Sequence, residues 1–127
     1  MSTTGSRFLL IALLAPLLAL AGRAHAEGDA AHGKQIFETC GICHSNRAGE
    51  VKLGPSLFGV VGRKAGSVPG FHYTPGLQKL SEMTWTPEEI FKWLEDPSKM
   101  AAGTAMSFNL AGEKDRQDVI AYLQTLK

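Results

Sequence analysis

The chain's only two cysteines stand three residues apart with a histidine directly after them, in Cys40-Gly41-Ile42-Cys43-His44. Two thiols at that spacing can add to the two vinyl groups on one edge of a haem, and the adjacent imidazole then falls under the iron. This is the attachment pattern of a c-type haem. In a chain with two cysteines and four histidines, about one random arrangement in two thousand produces it, so chance is a poor explanation. Competing chemistries fit less well. A redox dithiol uses the same Cys-x-x-Cys, normally in a βαβ setting, and no convincing strand alternation is present here. Zinc wants four ligands, but only three are local, Cys43 and His44 are adjacent, and there is no second pair. A single structural disulfide is the remaining alternative for an exported protein.

The elements that must position this motif are few. With 127 residues, 44% hydrophobic and 20% charged, the chain describes one small domain. Residues 1–26 contain Arg7, an apolar run from Phe8 to Ala21 and an Ala24-His25-Ala26 step before Glu27. That layout predicts a secretory signal cleaved after Ala26 and hence a periplasmic location. Its apolar run of about 14 residues is shorter than the roughly 20 that a spanning helix needs. Cleavage leaves a domain over residues 27–127 and removes Arg7 and Arg23, which takes the formal charge from +1 to −1. No basic stripe remains, so nucleic-acid binding lacks its electrostatic footprint. A domain of about 100 residues has a marginal core and gains from a bound cofactor.

Ala30, Gly33, Ile36, Phe37 and Cys40 recur at spacings of three and four, with Asp29 near the start, predicting a helix over residues 27–43. Six glycines with Pro55 and Pro69 between Ser45 and Tyr73 predict loop. Thr74-Pro75 opens a short helix through Leu80. Thr86-Pro87-Glu88-Glu89 reads as a capping box ahead of a helix whose face is Ile90, Trp93 and Leu94 and which Asp96-Pro97 ends. Residues 98–112 read as a second loop. A last helix follows, with Val119, Tyr122, Leu123 and Leu126 inward and Lys114, Arg116 and Gln117 outward.

Beyond Cys40 to His44, further segments fall in order along the chain: Gly33 and Phe37, Lys52 to Leu57, Gly59 to Arg63, Pro69 to Thr74, Thr84-Trp85, Asp96 to Lys99, Gly103 to Phe108 and Asp118 to Leu123. In these the chain resembles the class I c-type cytochromes, small bacterial and mitochondrial electron carriers, over essentially all of residues 27–127. The resemblance implies an all-α cytochrome c fold, three to five helices with long loops wrapped around one covalently attached haem c, the first and last helices crossing at Gly33.

It also implies roles. Cys40 and Cys43 would carry the haem, and His44 would bind the iron through Nε2 while donating its other ring N–H to the Pro55 carbonyl. For the sixth ligand the chain offers Met83, Met100 and Met106. Met106 lies in a Gly-Thr-x-Met-x-Phe stretch like the family's ligand loop, with Met100 as the substitute; a thioether is soft and raises the reduction potential. Arg63, Tyr73 and Trp85 match positions around the haem propionates, and Leu57, Leu94 and Phe108 match its apolar wall. His32 and His72 are read as solvated or core residues. The chain departs from the family at Trp93, where a tyrosine is common, which exchanges a hydroxyl for an indole N–H, and at Ala102, where proline is common.

The implied function is a monomeric, soluble periplasmic carrier that passes single electrons between redox protein partners, peripheral to the membrane at most and not an enzyme. The rival is a haem c enzyme or small-ligand sensor with a labile methionine. No distal acid or base is evident for it.

Overall fold

The computed structural model describes Met1 and residues 28–127. The expected leader, Met1 apart, lies outside the described residues. Five helices run in the order α1 (Ala30–Cys40), α2 (Pro75–Gln78), α3 (Pro87–Glu95), α4 (Pro97–Met100) and α5 (Glu113–Leu123). Among the described residues strand pairing is confined to an isolated bridge between Lys64 and Thr84.

Asp29 starts α1, its carboxylate accepting from the N–H groups of Ala31 and His32 at 2.9 and 3.2 Å. This satisfies two of the donors that a helix start leaves unpaired. The helix ends at Cys40, earlier than the periodicity predicts, because glycine at 41 weakens propagation. The chain tightens into a turn instead, with Cys43 N–H on the Cys40 carbonyl at 3.1 Å. That turn carries Cys40, half-buried, and Cys43, exposed.

Helix α1 crosses α5 at Gly33. A Cβ at that position would land on the Asp118 carbonyl, so only glycine permits so close an approach of the two backbones. Phe37 and Tyr122 fill the joint with tilted rings at 5.2 Å. Beside it, Asp118, 1% exposed, accepts from Asp29 N–H at 2.6 Å, from His32 Nδ1 at 2.8 Å and from Lys114 Nζ. The Lys114 and His32 hydrogen bonds hold its carboxyl down to about 2, outweighing the opposing effect of burial.

Three local expectations are corrected. Thr86 Oγ1 does accept from Glu89 N–H at 3.2 Å, but the Glu89 carboxylate turns to Lys92 at 2.7 Å and Thr86 N–H goes to Thr84, so the capping box is only half formed. The Asp96-Pro97 step ends α3 and also begins α4, since the Asp96 carboxylate caps Ser98 N–H at 3.0 Å. Arg116 does not face outward. It is buried, lies over the Phe91 ring at 4.4 Å and donates to the carbonyls of Leu110 and Ala111 at 2.7 and 2.8 Å. The carbonyl partners and the aromatic face beneath the guanidinium compensate part of its loss of water, while its buried Nε–H has no partner.

Candidate functional site

The helices and loops enclose a cavity of about 510 Å³. All eight residues singled out from the sequence line it: Cys40, Cys43, His44, Pro55, Arg63, Tyr73, Trp85 and Met106. Its volume is that of a cofactor-sized pocket, apolar with a few convergent polar groups. Leu57, Leu94 and Phe108 also line it, as do Val60, Leu77 and Ile90, which the sequence reading did not place there. Ile90 lay on the predicted face of α3, so its signal was available. Val60 and Leu77 sit in a glycine-rich loop and a one-turn helix, where periodicity carries no information. His72 is exposed at the cavity's edge and His32 lies at the α1–α5 joint.

His44 is fixed by its surroundings. Its Nδ1 donates to the Pro55 carbonyl at 2.8 Å, which settles the tautomer and leaves the Nε2 lone pair available for a metal. Two backbone bonds hold the strip behind it, from Gly54 N–H to the Cys43 carbonyl and from Leu57 N–H to the Ser45 carbonyl, both 2.8 Å. Gly54 is obligatory for packing, because an added Cβ would come within 2.6 Å of His44 Nδ1. Burial pushes the His44 imidazole below its ordinary value, the Arg63 charge pushes the same way and the Pro55 bond opposes both. The ring is thus kept in the neutral form that metals require. Burial pushes the Cys40 thiol up, while Cys43 is exposed.

Arg63 reaches the cavity wall with its Nη1 on the Phe58 carbonyl at 3.0 Å and its Nη2 on the Ser56 carbonyl at 2.8 Å. Its Nε–H is buried without a partner. An orphaned charged donor in the wall of an apolar cavity is costly unless an anion completes it. The Tyr73 oxygen accepts from Val68 N–H at 3.1 Å, which leaves its own O–H to donate.

Met106 sits in the loop between α4 and α5. Its Sδ accepts from Trp93 Nε1 at 3.1 Å and its N–H goes to Thr104 Oγ1 at 3.3 Å. A neutral imidazole, a thioether, two thiols and unsatisfied donors for carboxylates, gathered around one apolar cavity, fit a covalently held haem.

Comparison with known proteins decides the family. The family model for cytochrome c matches residues 30–127. The chain belongs to the cytochrome c family. It is 46% identical to a cytochrome c2 of Rhodopila globiformis over 79% of this chain and 95% of that protein. It is 45% identical to a cytochrome c of Euglena viridis, over 79% and 99% of the two chains. The solved structure of ferricytochrome c2 from Rhodopseudomonas palustris superposes with a TM-score of 0.70 at 42% identity, covering 78% of this chain and 99% of that one. A cytochrome cH from Methylobacterium extorquens gives 0.71 at 40% identity, over 77% and 99%. This cytochrome accordingly has the all-α cytochrome c fold, carries one covalently bound haem c and transfers electrons. Among its described residues no helix is long and apolar enough to cross a membrane.

Proposed function

We propose that Cys40 and Cys43 would carry the haem thioether links, that His44 Nε2 and Met106 Sδ would ligate its iron, and that Arg63, Tyr73 and Trp85 would hold the propionates. The observation that carries this reading is the His44 Nδ1 to Pro55 bond at 2.8 Å, which aims a neutral imidazole into the cavity that Met106 lines. Bound haem supplies the one-electron Fe(III)/Fe(II) couple. The Pro55 carbonyl raises the donor strength of His44, and the soft Met106 thioether favours Fe(II), as His/Met ligation does in cytochromes c generally. Arg63 Nε–H and the Tyr73 O–H compensate carboxylates that would otherwise be buried unpaired. Phe37, Trp85 and Leu94, all below a tenth exposed, exclude water from the cavity.

The protein so equipped is a monomeric carrier without an enzymatic step of its own, which passes single electrons between redox protein partners. The sequence pattern over residues 1–26 supports export to the periplasm with cleavage after Ala26. The test is the optical spectrum and mass of the haem-loaded protein and of Met106→Ala. Expected are one added haem on a chain starting at Glu27, a low-spin spectrum with a sulfur-to-iron band, and loss of that band with covalent haem retained in Met106→Ala. A high-spin protein that readily binds carbon monoxide overturns the ligand set. A band that survives Met106→Ala but not Met100→Ala moves the assignment to Met100.

A further inference from the structure

We propose that Gly76 is a positioning residue for the Met106 loop: it lets α2 lie directly against the Ala102 carbonyl, and that contact keeps the thioether from swinging out of the cavity. The proposal rests on Met106 as an iron ligand. Gly76 stands at the second position of α2, where glycine serves the helix less well than alanine would. Its φ is not positive, so the backbone there does not call for glycine either. The neighbour does. A Cβ at Gly76 would land on the Ala102 carbonyl oxygen and come within 3.2 Å of the carbonyl carbons of Ala101 and Ala102. All of these atoms are backbone, so none can turn aside as the end of a side chain would.

The two sides of the contact differ in how far they can yield. Helix α2 is set into the core by Leu77, and Gln78 closes it with its N–H on the Thr74 carbonyl and its Nε2 on the Tyr73 carbonyl, both at 3.0 Å. Ala101 is fixed as well, 1% exposed with its N–H on the Pro97 carbonyl at 2.9 Å. Past it the chain is freer. Ala102 is exposed and has no ring to fix its φ, and Gly103 follows at a φ of +77°. Pressure on the Ala102 carbonyl is therefore relieved at Gly103, and rotation there carries Met106 with it. Because α2 starts just after Tyr73 and bears on the loop that ends in Met106, one helical turn ties together two sides of the cavity that both residues line.

The experiment measures how readily imidazole displaces the sulfur in ferric holoprotein, read from loss of the sulfur-to-iron band. Gly76→Ala should bind imidazole about ten- to a hundredfold more tightly than the parent protein, the range that one overpacked contact spans. Binding equal to the parent's overturns the proposal. Amide exchange separates a local effect from a general loss of stability. In Gly76→Ala the Thr104 N–H, bonded to the Ala101 carbonyl at 3.0 Å, should lose protection, while the Leu57 N–H, bonded to the Ser45 carbonyl on the histidine side, keeps it; equal losses overturn the proposal. A third measurement needs no Gly76 variant. Saturating imidazole in the parent protein should lower the protection of the Gln78 and Leu80 N–H groups, whose bonds close α2, because the departing loop uncovers that helix; unchanged protection of both overturns the proposal. If the band survives in Met106→Ala, the ligand reading and this role fall together. If it is lost there while Gly76→Ala binds imidazole as the parent does, only this role falls.

Discussion

The two walls of the cavity are held by different kinds of bond. The His44 wall is built from neighbours in sequence: residues 43–45 and 54–57 are laced by two backbone bonds of 2.8 Å and by the His44 to Pro55 bond. The Met106 wall is a loop pinned from a distance. Leu94 and Arg116 hold Leu110 and Ala111 at its far end, and an indole side chain holds its sulfur. Apart from the Leu110–Leu94 backbone bond, these are side-chain hydrogen bonds, which contribute on the order of 1 kcal/mol each and are lost one at a time. The histidine side should therefore behave as a fixed floor, and the methionine side as the wall that opens first.

Removing the floor's covalent element has the largest effect. Replacing both Cys40 and Cys43 by Ala should abolish stable holoprotein, since a core of about 100 residues has little to spare without its cofactor. Haem staining of a denaturing gel, with the soluble yield, checks it. Next come two glycines, one on each wall. Gly54→Ala forces a Cβ to within 2.6 Å of His44 Nδ1 and should cost about 1–3 kcal/mol while disturbing the iron spectrum. Gly103→Ala meets nothing within 4 Å but must keep a φ of +77°, so its cost is about 1–2 kcal/mol and confined to the methionine loop. Denaturant titrations followed by haem absorption rank the two, and a larger loss at Gly103 would reverse the contrast between the walls.

The same contrast explains what was legible in the sequence. The His44 wall could be read because its chemistry lies in five consecutive residues and a Gly-Pro eleven positions on. Met106 was legible only through resemblance to a family, since nothing local distinguishes it from Met83 or Met100. Helix starts with side-chain caps, Asp29 and Thr86, were readable because capping is local. Helix α4 was not, because one Asp-Pro step ends one helix and begins another within two residues. Arg116 was misread because its burial depends on Phe91, twenty-five residues away, and on two carbonyls in a loop. The cavity-lining roles of Val60 and Leu77 arise from tertiary packing that no periodicity encodes.

A smaller effect tests whether the walls share a foundation. Asp118 at the α1–α5 joint titrates at about 2 in the folded protein, below the roughly 3.9 of an unfolded aspartate. A depressed carboxyl contributes stability above its unfolded pKa and loses it as pH falls toward the folded value. Stability should thus decline between about pH 4 and pH 2, and the helical and haem signals should fall together because α1 leads into Cys40 to His44 and α5 carries Arg116, which holds the far end of the methionine loop. Asp118→Asn should be less stable at neutral pH and flatter across that window. Circular dichroism and haem absorption followed during acid titration check it, and loss of the iron signals well ahead of helicity would show the walls to be independent of the joint.

The smallest expected effect concerns the surface a partner meets. At the cavity's mouth Ile42 and Leu53 are 73% and 81% exposed, so the rim there is apolar. Lys99 lies 3.9 Å from the Asp96 carboxylate, which offsets its charge, whereas Lys52 Nζ donates at 2.8 Å to the Gly41 carbonyl, a neutral group that leaves its charge uncompensated, so the basic character beside this rim rests on Lys52. Opposite-sign fields raise association rates by about 10- to 1,000-fold and are screened within about 8 Å at physiological salt, so a weak field should show a shallow salt dependence. Oxidation of the ferrous protein by an anionic and by a cationic metal complex should each change less than about tenfold between low salt and 0.15 M, in opposite directions. The rival arrangement is convergence of Lys34, Arg47, Lys52 and Lys99 into one basic face. It predicts a fall of ten-fold or more with the anionic oxidant alone, and Lys52→Gln would then remove part of that fall while leaving the His44 and Met106 spectra unchanged.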